Sequence, residues 1–241
     1  MPRRRRPDLP SWPLVNGVFA FPFYRETRVP WIAFSIGNLV MWGVLVFTWQ
    51  VLVVVSAIML LIGLMYFVWA SRYCLTILTE TANGVERIED WSSSDVVERA
   101  FQALYLLNSL ILSFLVGWGL EYLAGSLPQG IAPAATMFVL FPIVLLSMLE
   151  RGTVLNPVSP AVWWSVLANG WAWLGFYVLA GLLVSAVVAL DFGLRRLLGI
   201  WGSGLTAVLM ATALMIYFRL LGRLGWYCSE RSRDRSRSSD K

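Results

Sequence analysis

Long uncharged blocks separated by short polar segments dominate the pattern of hydrophobic and polar positions along this chain. The first block runs from Val29 to Ser71, which is enough for two helical membrane crossings of roughly 20 residues each. The later blocks are Ala100–Leu120, Tyr122–Leu149, Gly152–Leu190 and Leu197–Phe218. Because helices satisfy every backbone polar group where water is absent, the pattern predicts an all-α, polytopic membrane protein.

Six transmembrane helices are predicted within one domain at residues 31–222. Their predicted bounds are 31–49, 51–70, 100–123, 131–149, 161–190 and 200–221. Trp31 and Trp49 stand about 27 Å apart along a helix, so we interpret them as the two interfacial ends of the first crossing. A tight turn is predicted at Thr48-Trp49-Gln50, with a single long kinked helix as the alternative. The second helix is expected to continue past the membrane to Thr81.

The distribution of basic residues predicts the orientation. With six crossings and cytoplasmic termini, all 19 basic residues except Arg195 and Arg196 lie on the cytoplasmic side. The 124–132 loop carries no charge, as expected of a translocated loop. We therefore expect a multi-pass protein of the bacterial inner membrane.

Both ends of the chain lie outside the predicted bundle. Residues 1–30 are a basic N-terminal segment, in which Trp12–Tyr24 is expected to lie in the membrane interface because of its aromatic residues. Residues 223–241 are rich in serine and arginine, and this composition predicts a disordered basic tail.

Composition argues against most catalytic chemistry. The chain is 58% hydrophobic and 14% charged, and it has no histidine, the commonest general base and metal ligand. Cys74 and Cys228 are expected to be free thiols. We therefore expect no enzymatic activity, no cofactor, no metal and no nucleic-acid partner.

The segment 80–98, between the second and third helices, is acidic. A divalent-cation site at Glu86, Glu89 and Asp90 is chemically conceivable because hard cations prefer oxygen ligands. The spacing does not match a known loop motif, so a solvated loop is the first expectation. A contact with a partner or with the arginine-rich termini is the next interpretation.

Three asparagines are the candidate binding residues. Asn38, Asn108 and Asn169 each lie about 10–12 Å from the predicted cytoplasmic end of a helix. One interpretation is that they line a substrate cavity, but interhelical hydrogen bonding is the interpretation that we favour. Each is then expected to bond to another helix.

Small residues recur every four positions on three predicted helices. Such spacing places them on one face and lets helix backbones approach closely. Packing within the chain is favoured over a partner or self-association. The repeats are Ser109, Ser113 and Gly117 in the third helix, Gly181, Ser185 and Ala189 in the fifth, and Ser203, Ala207 and Ala211 in the sixth.

Arg195 and Arg196 depart from the positive-inside pattern. Glu121 and Asp191 are the acidic residues on the same predicted face. Because pairing offsets the cost of charge near the headgroups, at least one contact between these arginines and acids is expected.

Three segments resemble bacterial multi-pass inner-membrane families without an assigned activity. They are Leu75–Trp91 (LTILTETANGVERIEDW), ALYLLNSLILS and FPIVLLSMLERGTVLNPVSP. The resemblance implies an inner-membrane helical protein and transfers no catalytic residue.

These observations lead to a non-enzymatic inner-membrane protein that organises or assists membrane partners within the lipid bilayer. A transporter or lipid-handling protein for an uncharged or lipid substrate is the alternative. A membrane-embedded enzyme is the third class, disfavoured because no acid–base pair is evident.

Overall fold

The computed structural model describes residues 14–15, 17–48, 53–88, 91, 96–125 and 128–239. Within these ranges the structure contains helices, turns and bends and no β-strand, which confirms the all-α prediction for the described part. In the described ranges, one 3₁₀ turn at Phe21–Phe23 precedes seven α-helices. These are α1 Arg28–Thr48, α2 Val53–Ala82, α3 Val96–Ala124, α4 Ile131–Arg151, α5 Pro160–Ala168, α6 Gly170–Leu198 and α7 Ile200–Ser239.

Six of these helices, all except α5, are long and apolar enough to cross a membrane. The chain divides into two compact units. One unit combines Met1–Ser93 with Leu174–Lys241, and the other is Ser94–Trp173.

In the first unit, α1 and α2 form an antiparallel hairpin. The Tyr66 hydroxyl donates to Asn38 Oδ1 at 2.5 Å, and the rings of Phe34 and Trp69 lie 6.0 Å apart. Residues later in α1 therefore contact residues earlier in α2, so the two helices are antiparallel. This pairing excludes the single long helix, while Trp49 and Gln50 of the predicted turn lie outside the described residues.

Helix α7 packs along the same hairpin through tryptophan hydrogen bonds. Trp31 Nε1 donates to Thr212 Oγ1 at 2.9 Å, and Trp42 Nε1 donates to Ser203 Oγ at 2.8 Å. Partly buried indole N–H groups generally require such partners. Trp31 therefore lies near one end of α1, as predicted, and also donates a hydrogen bond to α7.

In the second unit, α3 and α4 pack along a face of small residues. Ser109 and Ser113 are completely buried on α3. At Gly117, an added Cβ would lie 2.5 Å from Pro133 Cα on α4, so the two backbones are already in contact. This confirms the prediction that the α3 repeat packs within the chain.

The predicted helix at 161–190 is wrong as a single element. The structure divides it into α5 and α6 at Asn169, whose backbone angles of φ −126° and ψ 39° are not helical. Asparagine followed by glycine favours a helix end, because both residues tolerate non-helical conformations. Gly170 begins the next helix.

The predicted disordered tail at 223–241 also differs from the structure, which continues α7 to Ser239. Leu224 is completely buried and Trp226 is 7% exposed. These apolar positions at the start of the predicted tail therefore pack against the protein.

The N-terminal segment, predicted to lie in the membrane interface, is partly exposed and partly buried against the protein. Phe19 and Phe23 are exposed, as an interfacial stretch requires, but Val18 and Phe21 are completely buried. Residues 1–13 and 16 lie outside the described residues. The described turns therefore pack one apolar side against the protein.

Candidate functional site

A buried arginine on α7 organises the most polar cluster that the structure describes. The Arg219 side chain has no exposed surface. One terminal nitrogen donates to Thr81 Oγ1 at 2.8 Å and to the Val85 carbonyl at 3.1 Å, and the other donates to the Glu86 carbonyl at 2.7 Å. The guanidinium therefore joins α7 to the end of α2 and the loop that follows.

The Glu86 carboxylate balances two arginines. Its Oε1 accepts a hydrogen bond from Arg223 at 2.6 Å, and its Oε2 lies 3.6 Å from Arg219. The Arg219 guanidinium also lies 4.6 Å from the centre of the Phe21 ring, within the range of a cation–π interaction. We call Phe21, Thr81, Glu86, Arg219 and Arg223 the arginine clasp.

Two glycines explain why the chain can form the arginine clasp. Gly84 has a φ of +81°, which lets the chain reverse directly after α2 and present the next carbonyls to α7. At Gly222 on α7, an added Cβ would lie 2.7 Å from the Leu78 carbonyl oxygen. Close helix contact therefore depends on this missing side chain.

The acidic-loop predictions have different outcomes. Glu86 makes the intramolecular contact with basic residues that was one interpretation, although its partners lie inside α7. Glu89 and Asp90, the other conceivable cation ligands, lie outside the described residues. In the sequence, Arg219 and Arg223 contributed only to the predicted orientation. Their four-residue spacing within an apolar helix was the available signal.

Asn38 lies between α1 and α2, as predicted. Its Oδ1 accepts the Tyr66 hydroxyl, which confirms an interhelical bond. Its Nδ2 is buried without a hydrogen-bond partner among the described residues, and the Ser35 hydroxyl one turn earlier is in the same state. Asn38 therefore combines a packing role with unused bonding capacity.

Asn108 bonds to a loop, so the predicted bond to another helix is wrong for this residue. Its Nδ2 donates to the Val154 carbonyl at 2.6 Å. Val154 follows the end of α4, so Asn108 lies near the level at which α4 ends. The amide fastens the 152–159 connection to α3.

Asn169 ends α5 and lies just before the candidate span Gly170–Leu198. It therefore lies at a break between two helices, whereas the sequence predicted a position within one continuous helix. It is 6% exposed, and its Oδ1 has no hydrogen-bond partner among the described residues. Asn38 belongs to one compact unit, and Asn108 and Asn169 belong to the other. The described contacts do not join any two of these asparagines.

Carboxylates at helix ends are used in local contacts. Both Glu121 oxygens accept from the Gly130 amide, at 3.1 and 3.0 Å, across the α3–α4 connection. The Ser159 hydroxyl donates to Glu150 across the connection from α4 to α5. Sequence reasoning missed both contacts, because they depend on how each connection folds back.

The predicted contact between one of the two arginines, Arg195 or Arg196, and an acidic residue is confirmed. Arg195 Nε lies 2.8 Å from Asp191 Oδ2, one helical turn away on α6. The Arg196 guanidinium lies 4.2 Å from the centre of the Phe192 ring. Each charge near this end of α6 therefore has a local partner.

Comparison with protein-family models, curated proteins and solved structures finds no match. The geometry describes an all-helical protein with six segments suited to membrane crossing, one arginine clasp and separately placed asparagines.

Proposed function

We propose that this chain is a non-enzymatic, multi-pass protein of the bacterial inner membrane that organises or assists membrane partners. The exposed face formed by Gly181, Ser185 and Ala189 on α6 supports this proposal most directly. Ser185 and Ala189 are exposed, and Gly181 is half-buried. We call these three residues the α6 small face.

The three small-residue repeats are used differently. The α3 repeat packs against α4, and the α7 repeat includes Ser203, which binds Trp42, and Ala211, which is completely buried. The α6 small face alone among these repeats has two exposed members. In membranes, such a surface permits the close approach of another helix. A partner helix is therefore its proposed occupant.

The use of the carboxylates supports a non-enzymatic role. Glu86 binds arginines, Glu121 and Glu150 close helix connections, and Asp191 pairs with Arg195. These groups stabilise the fold. For general acid–base catalysis, one of these carboxylates would have to leave its protein partner and reach a substrate.

Site-specific photo-crosslinking in native membranes tests the partner proposal. A photoreactive residue replaces Val188, an exposed side chain beside the α6 small face. We expect a discrete protein adduct that Ser185→Leu removes. Ala186→Leu is the matched control, because Ala186 is exposed and lies about 100° around the helix from Ser185.

Ala186→Leu should leave the adduct formed at position 188 intact. Two results would contradict a partner bound at the α6 small face. One is that the protein with no leucine substitution forms adducts only with lipid, and the other is that both leucine variants lose the adduct equally.

The proposed orientation places both termini in the cytoplasm, on the strength of the basic-residue distribution. Reporter fusions after Ser126 and at Lys241 should therefore indicate opposite sides of the membrane. Reporting from the same side would contradict the proposed topology.

A transporter or lipid-handling protein is the alternative, and the unpaired polar atoms of Asn38 and Ser35 favour it. In that case Asn38→Leu would abolish uptake or binding of an uncharged substrate, whereas Tyr66→Phe, which removes the same hydrogen bond between α1 and α2, would leave substrate handling intact. Loss of stability without a change in substrate handling would favour the packing role.

A further inference from the structure

Helix α5 exposes one coherent apolar face. All of its exposed residues except Ala161 follow the i, i+3, i+4, i+7 spacing of a single helix face: Pro160, Trp163, Trp164 and Leu167. Trp164 is 68% exposed and Leu167 is 76% exposed. None of the nine residues of α5 is buried. We call these four residues the α5 tryptophan face.

The length of α6 makes α5 unnecessary for crossing the membrane. Gly170–Leu198 contains 29 residues and is about 43 Å long, which exceeds a hydrocarbon core of about 30 Å. Asp191 and Arg195 form their ion pair near the far end of α6. Counting back about 20 residues from Asp191 reaches Trp171. Helix α5 therefore precedes the hydrocarbon segment.

The chain also bends between the two helices. Trp173 Nε1 donates to Ser165 Oγ at 3.3 Å. In one straight helix these residues would stand about 12 Å apart along the axis, farther than their two side chains reach. The non-helical backbone at Asn169 supplies the bend.

Contacts on both sides hold α5 near one membrane boundary. Ser159, directly before α5, donates to Glu150 in the last turn of α4. At the other end, Asn169 alone separates α5 from α6. The end of α4 and the start of α6 mark the same boundary when both helices cross. A helix tied to that boundary at both ends lies along it.

We propose that the α5 tryptophan face inserts into the headgroup–acyl boundary of the same bilayer that α6 crosses. Tryptophan favours this region, because its ring is apolar and its N–H is polar. The segment Gly152–Leu190 has no charged residue, so neutral lipid is sufficient. This surface is independent of the partner helix proposed for the α6 small face.

Nitroxide depth measurements test the proposal in the full chain, reconstituted into phosphatidylcholine vesicles. Single labels replace Trp164 and Leu167 on the proposed lipid-facing side, and Val162 on the opposite side. A label at Val184, exposed within α6, is the deep reference. Arg87, with 71% of its side chain exposed on a loop, is the aqueous reference.

Cys228→Ser removes the more accessible native thiol, while Cys74 is buried. A protein carrying only this substitution measures background labelling. Thermal unfolding confirms that each labelled variant is folded, and two positions on the lipid-facing side protect the test against failure of one variant.

We expect the labels at 164 and 167 to lie about 5–10 Å into the headgroup–acyl boundary, deeper than the label at 162. The depths should be unchanged when anionic lipid is added. The proposal would be overturned if the labels at 164 and 167 were as accessible to water as the label at 87, or as deep as the label at 184. Shielding from both oxygen and a water-soluble relaxation agent would indicate a protein cover and would also overturn it.

Discussion

Replacing Arg219 with methionine tests the arginine clasp most directly, because methionine retains an unbranched side chain and removes the guanidinium. The Val85 and Glu86 carbonyls and the Thr81 hydroxyl then lose their Arg219 donor bonds. A buried acceptor left without a donor costs about 1–3 kcal/mol.

The bond to Thr81 is buried and the bonds to the two carbonyls are partly buried, so Thr81 sets most of the expected magnitude and water offsets part of the loss at the carbonyls. Glu86 retains Arg223 and is 51% exposed, so water limits the cost at its carboxylate. Removing the buried charge of Arg219 also relieves part of its desolvation cost. We therefore expect Arg219→Met to reduce the free energy of unfolding by about 3 kcal/mol.

Two other arginines provide graded controls. Arg223→Met removes a single bond to a half-exposed carboxylate, and we expect a cost of about 1 kcal/mol. Arg87 is 71% exposed and lies 3.9 Å from Glu26, so Arg87→Met should change stability by about 0.5 kcal/mol or less.

Reversible unfolding in mixed detergent micelles measures these differences, with helix content and proteolysis as independent probes. We expect the order Arg219→Met, Arg223→Met, Arg87→Met, from most to least destabilising. An Arg219→Met protein as stable as the Arg87→Met protein would refute it.

The same unfolding measurement tests three further expectations. Gly117→Ala should cost about 1–3 kcal/mol because its Cβ meets the α4 backbone, whereas Gly119→Ala has open space and should be neutral or stabilising by up to about 1 kcal/mol; equal effects would contradict the contact. Asn38→Leu should cost about 0.6–2 kcal/mol. Adding Tyr66→Phe should cost little more, because the two substitutions remove the same hydrogen bond. Asn108→Leu should increase protease cleavage of the 152–159 connection, and unchanged cleavage would contradict its fastening role.

Hydropathy predicted the crossing segments well, because bilayer thickness fixes the length of an apolar helix. Predicted helix 131–149 and observed Ile131–Arg151 differ only at the C-terminal end. The break at Asn169 was missed because the residues on both sides are uncharged. Hydrophobicity has no signal for a change of helix direction; the Asn169-Gly170 pair was the relevant local signal.

The arginine clasp was missed for a different reason. Two of the Arg219 acceptors are the Val85 and Glu86 carbonyls, and every residue type supplies a backbone carbonyl. Their position depends on the reversal at Gly84 and on the approach of α7. Counting arginines to predict orientation cannot reveal such a tertiary partnership.

The discontinuous unit that joins Met1–Ser93 to Leu174–Lys241 has a consequence for biosynthesis. At about 5–20 residues per second, the intervening 94–173 segment takes roughly 4–16 s to translate. The α1–α2 hairpin must therefore remain in the membrane for seconds before α7 exists. During this time its tryptophans and the acceptors for Arg219 lack their hydrogen-bond partners on α7. The nascent hairpin would therefore be vulnerable to degradation unless the insertion machinery shields it.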